Sequence, residues 1–152
     1  MPTHALTQQN FDQTIARGAI VLVDFWASWC GWCTRFAPIY EESASQHPEI
    51  LHTTVDTEAE QALTAAAQIT SLPTLLGFRD GLLVYTKLGF QTAAELEDAV
   101  QNIQWMDMDE VRRERGIQHA EPAATAGQVA PARGAGLAAG PARYGWPGLK
   151  LG

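Results

Sequence analysis

The chain has 152 residues, 46% of them hydrophobic, and a net charge of -7 at pH 7. That is enough apolar chain for one good core. The acidic balance, with no cluster of Lys or Arg interleaved with aromatics, argues against nucleic acid as a partner. Met1-Pro2-Thr3-His4-Ala5 is no basic segment leading into an apolar stretch, and no apolar run is long enough to span a bilayer, so the sequence predicts a cytoplasmic protein without membrane contact.

In chain order, a short strand is expected around His4 to Leu6, then a helix capped by Thr7 that runs through Phe11 and Ile15 and stops at Gly18. Ile20 to Ala27 reads as a strand buried on both faces. A helix starting at Cys30 carries Phe36, Ile39 and Tyr40, includes Pro38, which should bend it, and ends before Pro48. Leu51 to Val55 is a further strand, and Glu58 to Gln68 an alanine-rich helix. Thr74 to Phe78, the turn dipeptide Asp80-Gly81 and Leu82 to Leu88 predict a hairpin. Gly89 ends it, and Thr92 caps a helix through Leu96, Val100 and Ile103 that continues toward Arg115. Parallel strands joined by crossover helices, followed by a hairpin, give an α/β fold with a mixed central sheet covered by helices on both sides.

Charge divides the chain unevenly. Residues 1–115 hold 7 Lys and Arg against 16 Asp and Glu, whereas 116–152 hold 3 against 1 and turn to Ala, Gly and Pro. The sequence therefore predicts a folded domain over 1–115 and a disordered Ala/Gly/Pro-rich tail over 116–152. The tail ends on the apolar Tyr144-Gly145-Trp146-Pro147-Gly148-Leu149.

Cys30 and Cys33 are the only cysteines, set as Trp29-Cys30-Gly31-Trp32-Cys33 where the buried strand gives way to a helix. If Cys30 caps that helix and Cys33 lies one turn inside it, the sulfurs come within bonding reach. Unpaired amides and the helix dipole then favour a thiolate at Cys30. Cys30 is the expected attacker on a partner's disulfide, and Cys33 the resolving thiol. A zinc centre is the weaker reading, because no second cysteine pair exists and His4, His47, His52 and His119 are scattered without metal-ligand spacing. A static structural bridge is weaker too, since so short a loop constrains the unfolded chain little and no secretory signal is present.

Val23-Asp24-Phe25-Trp26-Ala27-Ser28-Trp29-Cys30-Gly31 with Cys33, Ala37-Pro38, Val55-Asp56, Leu72-Pro73-Thr74-Leu75-Leu76, Gly81 and Gly89 follow one another in an order and spacing that closely resemble the thioredoxin family, over roughly residues 5–106. The resemblance implies a thioredoxin-like three-layer α/β/α sandwich. It makes Cys30 the nucleophile, Cys33 the resolving cysteine and Asp24 the buried acid beneath the pair. Burial without a cation raises a carboxyl pKa, so Asp24 would exchange a proton with Cys33. It also implies that Pro73 is held cis, facing the sulfurs, with Leu72 offering its backbone to an extended substrate segment. Trp29, Gly31, Trp32, Leu72, Pro73 and Gly89 would together form an apolar, acid-free contact surface.

Three positions depart from the family pattern. Trp32 stands where most thioredoxins carry proline, and that residue tunes how firmly the disulfide is held. His52 replaces a lysine near the buried acid, which removes a charge partner from Asp24 if the histidine is neutral. Thr34 replaces a basic residue after the second cysteine. The implied activity is reduction of protein disulfides by dithiol exchange, without metal or bound cofactor. Its partners would be disulfide-containing proteins and an electron donor of the thioredoxin-reductase type. The alternatives are a disulfide oxidase or isomerase, and a non-catalytic binding or chaperone module on the same fold.

Overall fold

The structure, a computed structural model, describes residues 3–116. The expected tail lies, from residue 117 on, outside the described residues. Five strands, β1 (Thr3–Ala5), β2 (Ile20–Trp26), β3 (Leu51–Asp56), β4 (Thr74–Arg79) and β5 (Leu82–Leu88), form one sheet in the order β1-β3-β2-β4-β5. β1 and β2 run parallel to β3, while β4 is antiparallel to β2 and to β5. Five helices accompany them: α1 (Phe11–Arg17), α2 (Gly31–Gln46), α3 (Gln61–Ala66), α4 (Ala93–Gln104) and α5 (Met108–Glu114).

Burial on both faces of β2 sets the layers. Successive side chains of a strand point to opposite faces, so Val21, Val23 and Phe25 enter one cluster with Phe11, Ile15, Leu63 and Phe78, under α1 and α3. Leu22 enters the other with Phe36, Tyr40, Leu96, Val100 and Ile103, under α2 and α4. The same alternation puts Asp24 on the face covered by α2. The three-layer expectation holds, as does the hairpin, where Asp80 and Gly81 take the positive φ values of 54° and 82° that a tight two-residue turn requires.

Three boundaries differ from the sequence reading. Thr7 does not cap α1; the cap position belongs to Asn10, whose Oδ1 accepts the Thr7 N–H at 2.8 Å, so a polar turn precedes the helix. The helix expected over 58–68 shrinks to α3. Asp56 Oδ1 accepts the backbone N–H of Glu58 at 2.9 Å and of Ala59 at 3.3 Å, which holds that stretch in a turn, and Gln68 leaves helical geometry at φ 56°. The last helix divides in two. Arg79 of β4 donates from Nη1 to the carbonyls of Ile103 at 2.7 Å, Gln104 at 3.0 Å and Met106 at 3.0 Å, satisfying groups that the end of α4 leaves unpaired. Asp107 then caps α5 by accepting the N–H groups of Asp109 and Glu110. At the other end of α4, Thr92 and Glu95 form a reciprocal capping box. α2 runs unbroken through Pro38.

Candidate active site

The site hangs from the carboxyl end of β2, the central strand, where its neighbours run in opposite directions and open α/β sheets leave a crevice. Cys30 occupies the N-cap of α2 with extended backbone, and its Sγ accepts the backbone N–H of Cys33 at 3.1 Å. Cys33 lies one turn inside, and the two sulfurs are joined as a disulfide. Both residues are buried, packed with Ala27 and against Trp26 and Leu72. They face different spaces.

Cys30 lines an outer groove of about 440 Å³ with Trp29, Gly31, Trp32, Ile69 and Leu72, joined by Thr57, Thr64 and Thr70. No charged side chain lines it. Trp29 and Trp32 are 68% and 54% exposed, large apolar areas for a surface position. Trp32 is nonetheless seated: its ring lies 5.3 Å from that of Phe90, and the Arg35 guanidinium stands 4.9 Å over it. The Leu72–Pro73 peptide is cis. Gly89, at φ 91°, donates its N–H to the Pro73 carbonyl at 2.7 Å, tying the end of β5 to the proline loop. The structure thus brings Trp29, Gly31, Trp32 and Leu72 around Cys30, and joins Pro73 to Gly89 outside the groove's lining.

Cys33 lines a second, inner cavity of about 350 Å³ with Asp24, Trp26, Tyr40, Glu41 and Thr54, which opens to solvent past the exposed Ser28, Thr34 and Ala37. Asp24 is buried, with no hydrogen-bond partner for Oδ1 among the described residues, and burial raises its carboxyl from the ordinary 3.8 to about 7. Near neutral pH it is poised between acid and base. His52 does not reach this cavity. It pairs across the sheet with Leu22, whereas Thr54 stands opposite Asp24. Its Nδ1 donates to the Ile50 carbonyl at 3.0 Å, its Nε2 accepts from the Ser43 hydroxyl at 3.0 Å, and burial lowers its pKa. Among the described residues, Asp24 accordingly has no cation beside it.

Sequence reasoning missed Thr54, Glu41 and Tyr40 in the inner cavity, and Phe90 and Arg35 around Trp32. Thr54 was within reach of strand register, which pairs it with Asp24. Arg35 was within reach of helical spacing, three residues beyond Trp32. Phe90 joins only through the fold.

A cysteine disulfide at a helix N-terminus, beside a cis proline and above an unpaired buried acid, on a mixed five-stranded sheet, defines a thiol-disulfide oxidoreductase of thioredoxin-like fold. Residues 2–102 match the Thioredoxin family profile. A Streptomyces coelicolor protein provisionally named thioredoxin 2 is 43% identical over 119 residues, spanning 78% of this chain and 89% of the relative. A thioredoxin of Staphylococcus haemolyticus is 40% identical over 98 residues, spanning 62% and 91%. Among solved structures, Plasmodium falciparum thioredoxin superposes with a TM-score of 0.62 at 34% identity, covering 65% of this chain and 97% of that one. The chain belongs to the thioredoxin family. It is a protein-disulfide reductase, with disulfide-containing proteins as substrates and a reductase as its source of electrons. Among the described residues, no helix is long and apolar enough to cross a membrane.

Proposed function

We propose that Cys30 is the nucleophile, Cys33 the resolving cysteine and Asp24 the proton acceptor of this reductase. The observation that carries the assignment is the division of the pair between two spaces: Cys30 lines the surface groove, and Cys33 lines the cavity that holds Asp24. In the reduced protein the Cys30 thiolate attacks one sulfur of a partner's disulfide, forming a mixed disulfide and expelling the partner's other sulfur as a thiolate that takes a proton. Cys33 then gives its proton to Asp24 and attacks the Cys30 sulfur. The second partner sulfur leaves, so the partner gains two electrons and two protons while the pair closes to a disulfide. An electron donor of the thioredoxin-reductase type returns the pair to the dithiol.

The groove residues Trp29, Gly31, Trp32 and Leu72 hold the substrate around its disulfide, with Pro73 and Gly89 at its edge. An uncharged groove with two exposed indoles favours apolar neighbours on the partner. We place the protein in the cytoplasm, whose reducing pool a dithiol donor needs, and take residues 1–115 as the folding unit. Removal of the following residues should leave the thermal midpoint and the reductase rate unchanged.

The assignment is tested by trapping. Cys33→Ser should hold partners as mixed disulfides on Cys30 that dithiothreitol releases, while Cys30→Ser should hold none. Equal capture by both variants would sink the assignment.

A further inference from the structure

The inner cavity contains more acid than the exchange reaction uses. Asp24 and Glu41 both line it, together with Thr3, Ser28, Thr34 and Thr54, and none of its lining residues among those described is Lys, Arg or His. Asp24 is 4% exposed, and its Oδ1 has no partner among the described residues. Glu41 is half-buried, and among the described residues its Oε2 accepts a single long 3.5 Å bond, from the Thr3 hydroxyl. The Tyr40 hydroxyl is committed elsewhere, donating to the Thr53 carbonyl at 2.7 Å and accepting the Thr53 N–H at 3.1 Å. His52 is occupied by Ser43 and Ile50.

A buried carboxylate with a free oxygen is costly unless a charged donor reaches it. Burial is the cause of the raised Asp24 pKa, so no described residue supplies that donor. The cavity has room for a few heavy atoms, and the Trp26 indole, also in its wall, can take a cation against its ring. Among the described residues no three His, Cys, Asp or Glu side chains group as a metal site, so two carboxylates alone suit a singly charged hydrogen-bond donor better than a divalent ion.

We propose that this cavity is a binding site for a small monovalent nitrogen cation of the ammonium or guanidinium class, held between Asp24 and Glu41. The cation comes either free from solution or as the tip of a Lys or Arg side chain on a docked partner. In either case it binds only the ionised carboxylate, so occupancy draws the proton off Asp24. On the proposed role of Asp24, a partner carrying such a residue would prepare the base for Cys33 as it docks.

The test is a carboxyl-carbon NMR titration of Asp24 in the oxidised full-length protein, in methylammonium chloride and in tetramethylammonium chloride at equal ionic strength. The second salt has no N–H to donate, and matching ionic strength removes screening. Methylammonium at about ten times its Kd should lower the apparent Asp24 pKa by about one unit, because the shift follows log(1 + [L]/Kd). Glu41→Gln should remove at least half of that shift. The same titration curve in both salts, or a shift indifferent to Glu41→Gln, overturns the site.

Two cystine peptides, with Lys or Gln beside the disulfide, separate the sources. A several-fold kcat/KM advantage for the Lys peptide that Glu41→Gln abolishes assigns the cation to the partner. Equal rates together with the NMR shift assign it to free ions. The proton role of Asp24 is read independently, from the pH profile of Asp24→Asn, so either idea can fail alone.

Discussion

Cys33 donates its backbone N–H to the sulfur of Cys30 at 3.1 Å, so the reactive sulfur is also the N-cap of α2. Chemistry and helix stability meet in one atom. Serine caps helices well and alanine does not, the difference being about 1 kcal/mol. Cys30→Ser and Cys30→Ala should both lose insulin reduction completely. In urea denaturation under reducing conditions, the serine variant should be more stable by about that amount. Equal stabilities would show that the cap contributes nothing.

Asp24 holds its proton more firmly folded than unfolded, with a pKa of about 7 against the ordinary 3.8. The native state binds the extra proton between those values, so the buried carboxyl costs most above pH 7 and the cost disappears as pH falls to about 4. Asp24→Asn should therefore stabilise the oxidised protein by up to roughly 4 kcal/mol near pH 8, and by almost nothing near pH 4. It should also flatten the pH dependence of mixed-disulfide resolution. A stability gain that did not vary with pH would point to packing rather than ionisation.

Trp32 packs on Phe90 and under Arg35 at the mouth of the uncharged groove, away from the inner cavity. Its truncation should weaken protein docking more than sulfur exchange. For Trp32→Ala, kcat/KM toward insulin should fall about tenfold, the loss of roughly 1.4 kcal/mol typical of an anchoring indole. The rate with a small disulfide such as cystamine should hold. Parallel losses on both substrates would place Trp32 in the exchange step itself.

Arg79 joins β4 to the carboxyl end of α4 through three carbonyl bonds. Arg79→Ala leaves those groups to water and should cost about 1–3 kcal/mol in denaturant unfolding, with the reductase rate unchanged below the transition. Loss of activity without loss of stability would contradict a purely structural role.

His47 bridges to Glu97 at 2.9 Å and to Glu49 at 3.3 Å. Burial lowers its pKa, but the hydrogen bonds it donates to Glu97 and Glu49 outweigh that and raise it overall. A base whose folded pKa is raised contributes stability below its unfolded value of about 6.5 and loses it as pH climbs through the folded value. Glu97→Gln should cost about 0.5 kcal/mol near pH 6, as solvent-screened pairs do, and nothing near pH 9. A cost at the higher pH alone would reverse the sign of this argument.

Element order and the location of the chemistry were legible in the sequence because they rest on local signals. β2 reads from its apolar run, interrupted only by Asp24, the hairpin from Asp80-Gly81, α4 from Thr92, and the cis Pro73 from its motif. What escaped depends on contacts distant along the chain. α4 ends where it does because Arg79 reaches it from β4, and α3 starts late because residues 58 and 59 are held in a turn on the Asp56 carboxylate ahead of it. His52 stands where the family pattern implies a charge near Asp24, but Ser43 and the Ile50 carbonyl hold the ring away. Trp32 reads in sequence as part of the contact surface, but nothing there shows that it rests on a ring fifty-eight positions later.

Because the sulfur pair is suspended from β2, the central strand and one buried on both faces, its aim is set by the part of the molecule expected to open last. Amide exchange of Leu22, Val23 and Phe25 should track global unfolding, while the rim at Trp29 exchanges freely. A sulfur pair mounted in this way keeps its aim from one turnover to the next, whatever the shape of the client docked on the rim.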